Sequence, residues 1–282
     1  MATPMKESLK LISGHACEAC PLALTQAGIH TEDVDHVVAL AGNPNTGKST
    51  IFNALTGLRQ HTGNWPGKTV TRAEGAFQFG GKTYKVVDLP GTYSLLSTSA
   101  DEEVARDFIL FGRPDCTIVV VDATALERNL NLVLQVLEIT DRVVVALNLV
   151  DEAARKGIQV DHRRLARELG VPVVPTVAKS GQGMGNLLQA VEGVISGAIR
   201  TRPHHLQGDR AFQQAVDRLA QELTQLYPGL PSARWVAMRL LDGDPRIQEA
   251  VRTGELARIA HGDTPALGTV PRYPLTLEEV SP

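Results

Sequence analysis

The sequence predicts an α/β protein, a doubly wound and mostly parallel sheet with a small all-helical C-terminal subdomain. Three observations carry that expectation. Runs at 37–41, 116–121, 143–148 and 171–175 are strand-sized and apolar on both faces, as parallel strands covered by helices on each side must be. Amphipathic stretches at 102–111, 130–138, 162–169 and 185–195 alternate with them. Beyond about residue 200 the strand signal fades into helical patterns punctuated by Pro228-Gly229, Pro231 and Gly243.

In chain order, residues 1–35 form an N-terminal extension. It holds Cys17 and Cys20 as a lone C-x-x-C with His15 nearby. A structural zinc site wants a second ligand pair at similar spacing and none is evident, so uninvolved thiols are favoured over a metal half-site or redox pair. The α/β domain runs 36–200. Its first strand leads through a glycine loop into a helix, and a Gly- and Thr-rich loop follows over 56–71. Gly80-Gly81 between runs 76–79 and 83–87 signals a hairpin. Residues 201–265 form the helical subdomain, too small to bury a large core alone and therefore expected to pack on the first domain. His204 and His205 read as solvated linker residues rather than metal ligands, and 266–282 as an extended tail.

With 43% hydrophobic and 21% charged residues, the 282-residue chain suits a soluble globular protein. A net charge of −3 carries no nucleic-acid footprint. The longest apolar runs are strand-sized, the N-terminus lacks the apolar core of a secretory signal, and three cysteines argue against a disulfide framework. The expectation is a cytosolic chain, or the cytosolic part of something larger.

The chemistry concentrates in Gly42-Asn43-Pro44-Asn45-Thr46-Gly47-Lys48-Ser49, followed by Thr50. The spacing G-x-x-x-x-G-K-[ST] between strand and helix is that of a P-loop. Glycines let the backbone wrap phosphates, the following helix adds its positive end, Lys48 reaches the β- and γ-phosphates, and the Ser49 hydroxyl holds Mg²⁺. Three later stretches select the nucleotide. Asp88 ends a strand in Asp88-Leu89-Pro90-Gly91, where the carboxylate holds Mg²⁺ through water and the Gly91 N–H meets a γ-phosphate. Asp151, in Asn148-Leu149-Val150-Asp151, can accept two hydrogen bonds from guanine that adenine cannot offer, with Asn148 bracing the loop. An N–H of Ala178-Lys179 is placed to read the guanine O6. Taken singly, D-x-P-G is a common turn and N-x-x-D a common cap; their order after a P-loop favours GTP. Leu149 replaces a common lysine, and Val177 a common serine.

Thr69 is the favoured second Mg²⁺ ligand, with Thr62 and Thr71 as rivals. Thr92 stands where Ras-type enzymes carry a water-orienting glutamine, which implies slow hydrolysis or another source of charge. Asn45 offers one by holding a monovalent cation against the phosphates; stabilising the turn is its other reading. Glu102 and Glu103 are candidates to relay conformational change, and equally ordinary helix N-terminal carboxylates.

These motifs, with Gly63-Asn64-Trp65-Pro66-Gly67, Thr92-Tyr93-Ser94-Leu95, Val121-Asp122-Ala123-Thr124 and Leu126-Glu127-Arg128-Asn129-Leu130, resemble the cytosolic G domain of the FeoB ferrous-iron transporters. Arg234-Trp235 and Leu240-Leu241-Asp242-Gly243-Asp244 resemble that family's helical domain. The resemblance runs from about residue 37 onward. It implies a P-loop GTPase using GTP/GDP, Mg²⁺ and K⁺, slow by itself and accelerated by potassium. It places K⁺ on Asn45 and the carbonyls of Gly63 and Trp65, and implies that the helical segment strengthens GDP binding. The partner it implies is a membrane permease portion, making this a fragment at the cytoplasmic face of the bacterial inner membrane or a stand-alone relative; self-association is a second candidate contact, and nucleic acid is not expected. The alternative is a soluble potassium-dependent GTPase of ribosome or tRNA maturation, and a third reading is a binding switch with negligible hydrolysis.

Overall fold

The computed structural model describes residues 34–57, 60–96, 99–205 and 209–261. The C-x-x-C of the extension and the tail lie outside them. Among the described residues seven strands form one sheet in the order β2-β3-β4-β1-β5-β6-β7. They are β1 (His36–Gly42), β2 (Gln60–Asn64), β3 (Thr71–Phe79), β4 (Lys82–Asp88), β5 (Cys116–Asp122), β6 (Val143–Asn148) and β7 (Val173–Pro175). From β4 to β7 all neighbours are parallel, while β3 runs antiparallel to both β4 and β2.

Alternate residues of the central strands enter two different cores, which is why their sequences read as unbroken apolar runs. On β1, Val37, Ala39 and Ala41 face one apolar cluster and Val38 and Leu40 the other. The second cluster is closed by α1 (Lys48–Thr56), through Ile51 and Phe52, and later by Leu187, Ala190, Val191 and Val194 of α6 (Met184–Ile195). The first is closed by α2 (Ala100–Asp107) with its π-helical turn Phe108–Gly112, and by α3 (Leu126–Ile139). Two short helices, α4 (Val150–Arg155) and α5 (His162–Leu169), bridge β6 to β7.

Four helices follow: α7 (Arg210–Leu226), α8 (Ala233–Leu241), α9 (Pro245–Arg252) and α10 (Glu255–Ala260). Their buried residues, among them Val216, Trp235, Val236, Ile247 and Leu256, belong to the same cluster as α2 and α3, so these helices share the core on that face of the sheet. Polar bonds lock the junction. Ser232 donates its hydroxyl to the Ile139 carbonyl at 2.5 Å. Arg239 binds Asp244 at 2.6 and 2.9 Å and Asp242 at 2.7 Å, and reaches the Leu96 carbonyl at 3.2 Å.

The structure departs from the sequence reading mainly over 56–71, expected as loop. Gln60–Asn64 is an edge strand in register with β3, and β3 starts at Thr71 rather than near 76. Pairing with an existing edge, not apolar alternation, makes this strand. The Gly80-Gly81 hairpin matches expectation, with φ of 58° and 78° as a two-residue type I′ turn requires.

Asp244 gives the junction a pH signature. Burial alone raises its carboxyl pKa, but bonds from Arg239 and the Ile247 amide outweigh this and hold it below the ordinary value. A depressed folded-state pKa contributes stability above the unfolded value that is lost as pH falls through the folded one. Asp244→Asn should therefore cost about 2–4 kcal/mol in urea unfolding at pH 7, with the gap to wild type closing below about pH 4.

Candidate nucleotide-binding site

The parallel strands bring the ends of β1, β4, β5, β6 and β7 to one edge of the sheet, and the loops leaving them build the site. Gly42 ends β1 so close to β5 that a Cβ there would lie 2.7 Å from the Val120 carbonyl oxygen. Asn45 and Gly47 then take left-handed backbone, φ 67° and 85°, which lets successive N–H groups converge on one concavity. Thr46 closes the loop by donating its hydroxyl to the Asn43 carbonyl at 2.9 Å. Helix α1 starts at Lys48 with no side-chain cap, so its first-turn amides and positive end face the loop. Ser49 and Thr50 are both exposed on that first turn.

Lys48 forms an ion pair with Asp88 at the end of β4. Burial pushes the Asp88 carboxyl above its ordinary pKa, and the ammonium offsets this only in part. The loop after Asp88 is tied to β1: the Leu89 amide donates to the Leu40 carbonyl at 2.9 Å and the Thr92 amide to the Gly42 carbonyl at 3.3 Å. Gly91 lies between these ties, where a Cβ would contact Pro44 of the glycine loop at 3.5 Å.

Asn148, 1% exposed, joins three segments. Its Nδ2 donates to the Thr46 carbonyl at 2.9 Å; its Oδ1 accepts from the Ala178 amide at 3.0 Å and the Thr176 hydroxyl at 3.3 Å. Gly47 packs under that amide so tightly that a Cβ would sit 2.3 Å from Nδ2. Leu149 then adopts φ 62°, turning the chain into α4 and setting Asp151 at the surface, 3.3 Å from Arg155. The Ala178 N–H is committed to Asn148, and the neighbouring Lys179 lies exposed at the same loop. Thr176 belongs to no motif in the sequence; its place just before the expected Ala178-Lys179 pair is the only signal it carries.

The remaining candidates sit apart. Gly63 lies on β2 opposite Arg72, and Trp65 leaves that strand, with β3 and β4 between them and β1. Trp65 is buried edge-on against Phe108 at 5.5 Å. Its carbonyl accepts the Lys68 amide at 3.0 Å and its amide donates to the Val70 carbonyl at 2.9 Å, closing a turn that leaves Thr69 exposed. Lys68 in turn pairs with Glu103 of α2 at 2.5 Å. In this arrangement the hairpin that carries Gly63, Trp65 and Thr69 is tied to α2, not to the glycine loop.

A left-handed phosphate loop, a strand-end aspartate facing its lysine and an N-x-x-D loop bound into the phosphate loop make this a P-loop GTPase. The family described as Ferrous iron transport protein B matches residues 36–191, and the chain belongs to that family. It is 42% identical over 225 residues to the Fe(2+) transporter FeoB of Salmonella typhimurium, covering 78% of this chain and 28% of that protein. Against the Escherichia coli (strain K12) Fe(2+) transporter FeoB the identity is 42% over 211 residues, covering 73% of this chain and 27% of the relative. The chain thus spans under a third of the length of these curated relatives. Among solved structures, the cytosolic domain of L. pneumophila FeoB superposes with a TM-score of 0.71 at 37% identity, covering 80% of this chain and 88% of that one. The cytosolic domain of T. maritima FeoB gives 0.69 at 35% in its apo form, covering 83% and 94%. The same domain in a GDP form gives 0.69 at 35%, covering 80% and 92%. Among the described residues no helix is long and apolar enough to cross a membrane.

Asn148→Ala strips a hydrogen-bond partner from three groups on two segments at once. It should lower stability by about 2–4 kcal/mol in urea titration and weaken guanine-nucleotide binding by a larger factor than an exposed substitution such as Lys179→Ala.

Proposed function

We propose that this chain binds and hydrolyses GTP with Mg²⁺ and K⁺, and that its nucleotide state governs a ferrous-iron permease at the cytoplasmic face of the bacterial inner membrane. One observation carries the reading: Asn148 bonds the phosphate loop and the Ala178 loop into a single unit, so triphosphate and base are addressed by one rigid body. The donor set fits a nucleotide. The loop has left-handed backbone at Asn45 and Gly47, an uncapped helix start and a lysine, and Asn43 holds both amide atoms buried without a partner among the described residues.

The residues also fit magnesium as a P-loop would hold it. Among the described residues no group of three or more His, Cys, Asp or Glu could hold a metal. A magnesium bound by a hydroxyl, a water-bridged carboxylate and ligand phosphates needs no such group, and Ser49 and Asp88 supply those two protein ligands. The bound ions would supply charge against the oxygens of the transferring phosphoryl. Lys48 exchanges Asp88 for the phosphates, Gly91 offers its N–H to the γ-phosphate from beside Pro44, and Asp151 with the Lys179 amide selects guanine. Asn45 offers its side-chain carbonyl to potassium. For Gly63 and Trp65 to cap that ion and Thr69 to reach magnesium, β2 must leave β3 and the Trp65–Lys68 turn must open. That release is the proposed switch, with Lys68 and Glu103 as its latch.

Calorimetry with GTP and ATP, beside hydrolysis in each alkali chloride, tests this. Guanine should bind more tightly by about a hundredfold or more. Potassium should accelerate hydrolysis over sodium, and Asn45→Ala should remove at least about a tenfold stimulation while binding survives. Equal stimulation of both proteins removes Asn45 from the cation site; preference for adenine overturns the whole reading.

A further inference from the structure

One face of α3 holds the segment beyond the Asp88–Gly91 loop. Arg128, Asn131 and Gln135 fall at i, i+3 and i+7, so they line a single stripe. Arg128 lies over the Tyr93 ring at 4.3 Å, and Asn131 donates to the Tyr93 carbonyl at 3.5 Å. Gln135 makes the tightest contact: its Oε1 accepts the Leu95 amide at 2.6 Å and the Ser94 hydroxyl at 3.2 Å. Its Nε2 donates to Asn131 Oδ1 at 3.3 Å, which fixes the amide with its oxygen toward the segment.

Between this anchor and Gly91 there is little slack. Thr92 donates its hydroxyl to the Ser94 carbonyl at 2.5 Å and accepts the Ser94 amide at 3.1 Å, a closed local turn. Leu95 is a buried plug, 1% exposed, flanked by the exposed Leu96 and, two residues back, the exposed Tyr93. The Thr92 amide is tied to Gly42. Only Pro90 and Gly91 lie between the ties at Leu89 and Thr92, and Thr92 is itself bonded to Ser94, so the place of the Gly91 N–H is coupled through Thr92 to where Ser94 and Leu95 are held.

We infer that Gln135 is a positioning residue for GTP hydrolysis: it holds Ser94–Leu95 so that the Gly91 N–H stands ready beside the glycine loop for a γ-phosphate. This rests on the GTPase reading above. Without the acceptor, the Leu95 N–H loses its partner, and Gly91 must be ordered during each turnover, which slows the chemical step. GDP has no γ-phosphate to meet that N–H, so its affinity stays.

The test uses the full 282-residue chain with Mg²⁺ and KCl. Gln135→Leu, similar in shape but without the acceptor, should slow single-turnover GTP hydrolysis about five- to tenfold and speed hydrogen exchange at the Leu95 amide, with mant-GDP affinity changed less than about twofold. Gln135→Glu, which keeps an acceptor, should stay within about twofold of wild type. Where Gln135→Leu aggregates, Gln135→Asn, whose shorter amide falls short of Leu95, takes its place. A wild-type hydrolysis rate in Gln135→Leu overturns the role, as does a loss of GDP affinity matching the loss of rate. A wild-type chain that leaves GTP intact overturns the parent reading and this role together.

Discussion

The Asn148 carboxamide is the fastening on which the site depends. One buried side chain satisfies the Thr46 carbonyl, the Ala178 amide and the Thr176 hydroxyl, groups that come from the β1–α1 loop and the exit of β7. A buried polar group so fully engaged specifies geometry, because every alternative arrangement leaves a donor or acceptor unmet. The requirement runs back into the sequence. Gly47 must lack a side chain because Asn148 occupies that volume, and the loop's left-handed turn at Gly47 is what brings the Thr46 carbonyl within reach. The glycine loop and the exit of β7, which the proposed function assigns to phosphate and base, therefore sit on one body although 102 residues separate Thr46 from Asn148.

Around that fixed body the charges are arranged to be exchanged. Lys48 is paired with Asp88, yet burial still raises the Asp88 carboxyl above its ordinary pKa, so the pair does not fully offset what desolvation takes. A ligand that brings its own negative charge to Lys48 finds a cation whose present partner is poorly solvated. Taking Lys48 away would leave the buried Asp88 carboxylate uncompensated, so such an exchange has to bring a replacement cation or a proton to Asp88 as well. The Lys68–Glu103 bridge stands in a comparable position for the hairpin, with both side chains mostly buried.

How much of this could be read from the chain depends on the range of the interaction. β1, the glycine loop and α1 were legible because strand, turn and helix follow one another locally, and the apolar runs of β5 and β6 were legible because burial on both faces leaves no polar positions. β2 was not: Gln60-His61-Thr62-Gly63-Asn64 has neither alternation nor an apolar face, and only the exposed edge of β3 makes it a strand. Trp65 was legible as unusual, but its seat against Phe108 depends on where α2 ends in its π-helical turn. Ala178 and Lys179 were legible as a pair, while the commitment of one amide to Asn148 came only with the fold. Gln135 had no local signal at all, since its partners lie about 40 residues away across a helix–loop contact.

The helical segment gains its relevance from where its polar contacts end. Of the bonds Arg239 makes, those to Asp242 and Asp244 stay within the helical segment, and the one to Leu96 crosses to the loop that leaves β4. Breaking the crossing bond leaves the guanidinium still held by two carboxylates, whereas breaking the Asp244 pair would strand a buried charge. The joint is thus asymmetric: the segment can release Leu96 without disturbing its own packing. The Tyr93–Leu96 stretch is held from two sides, by Gln135 and Asn131 of α3 and by Arg239 of the helical segment. A shift of that stretch would therefore change what α3 and the helical segment can each bond, because both hold it within three residues of one another.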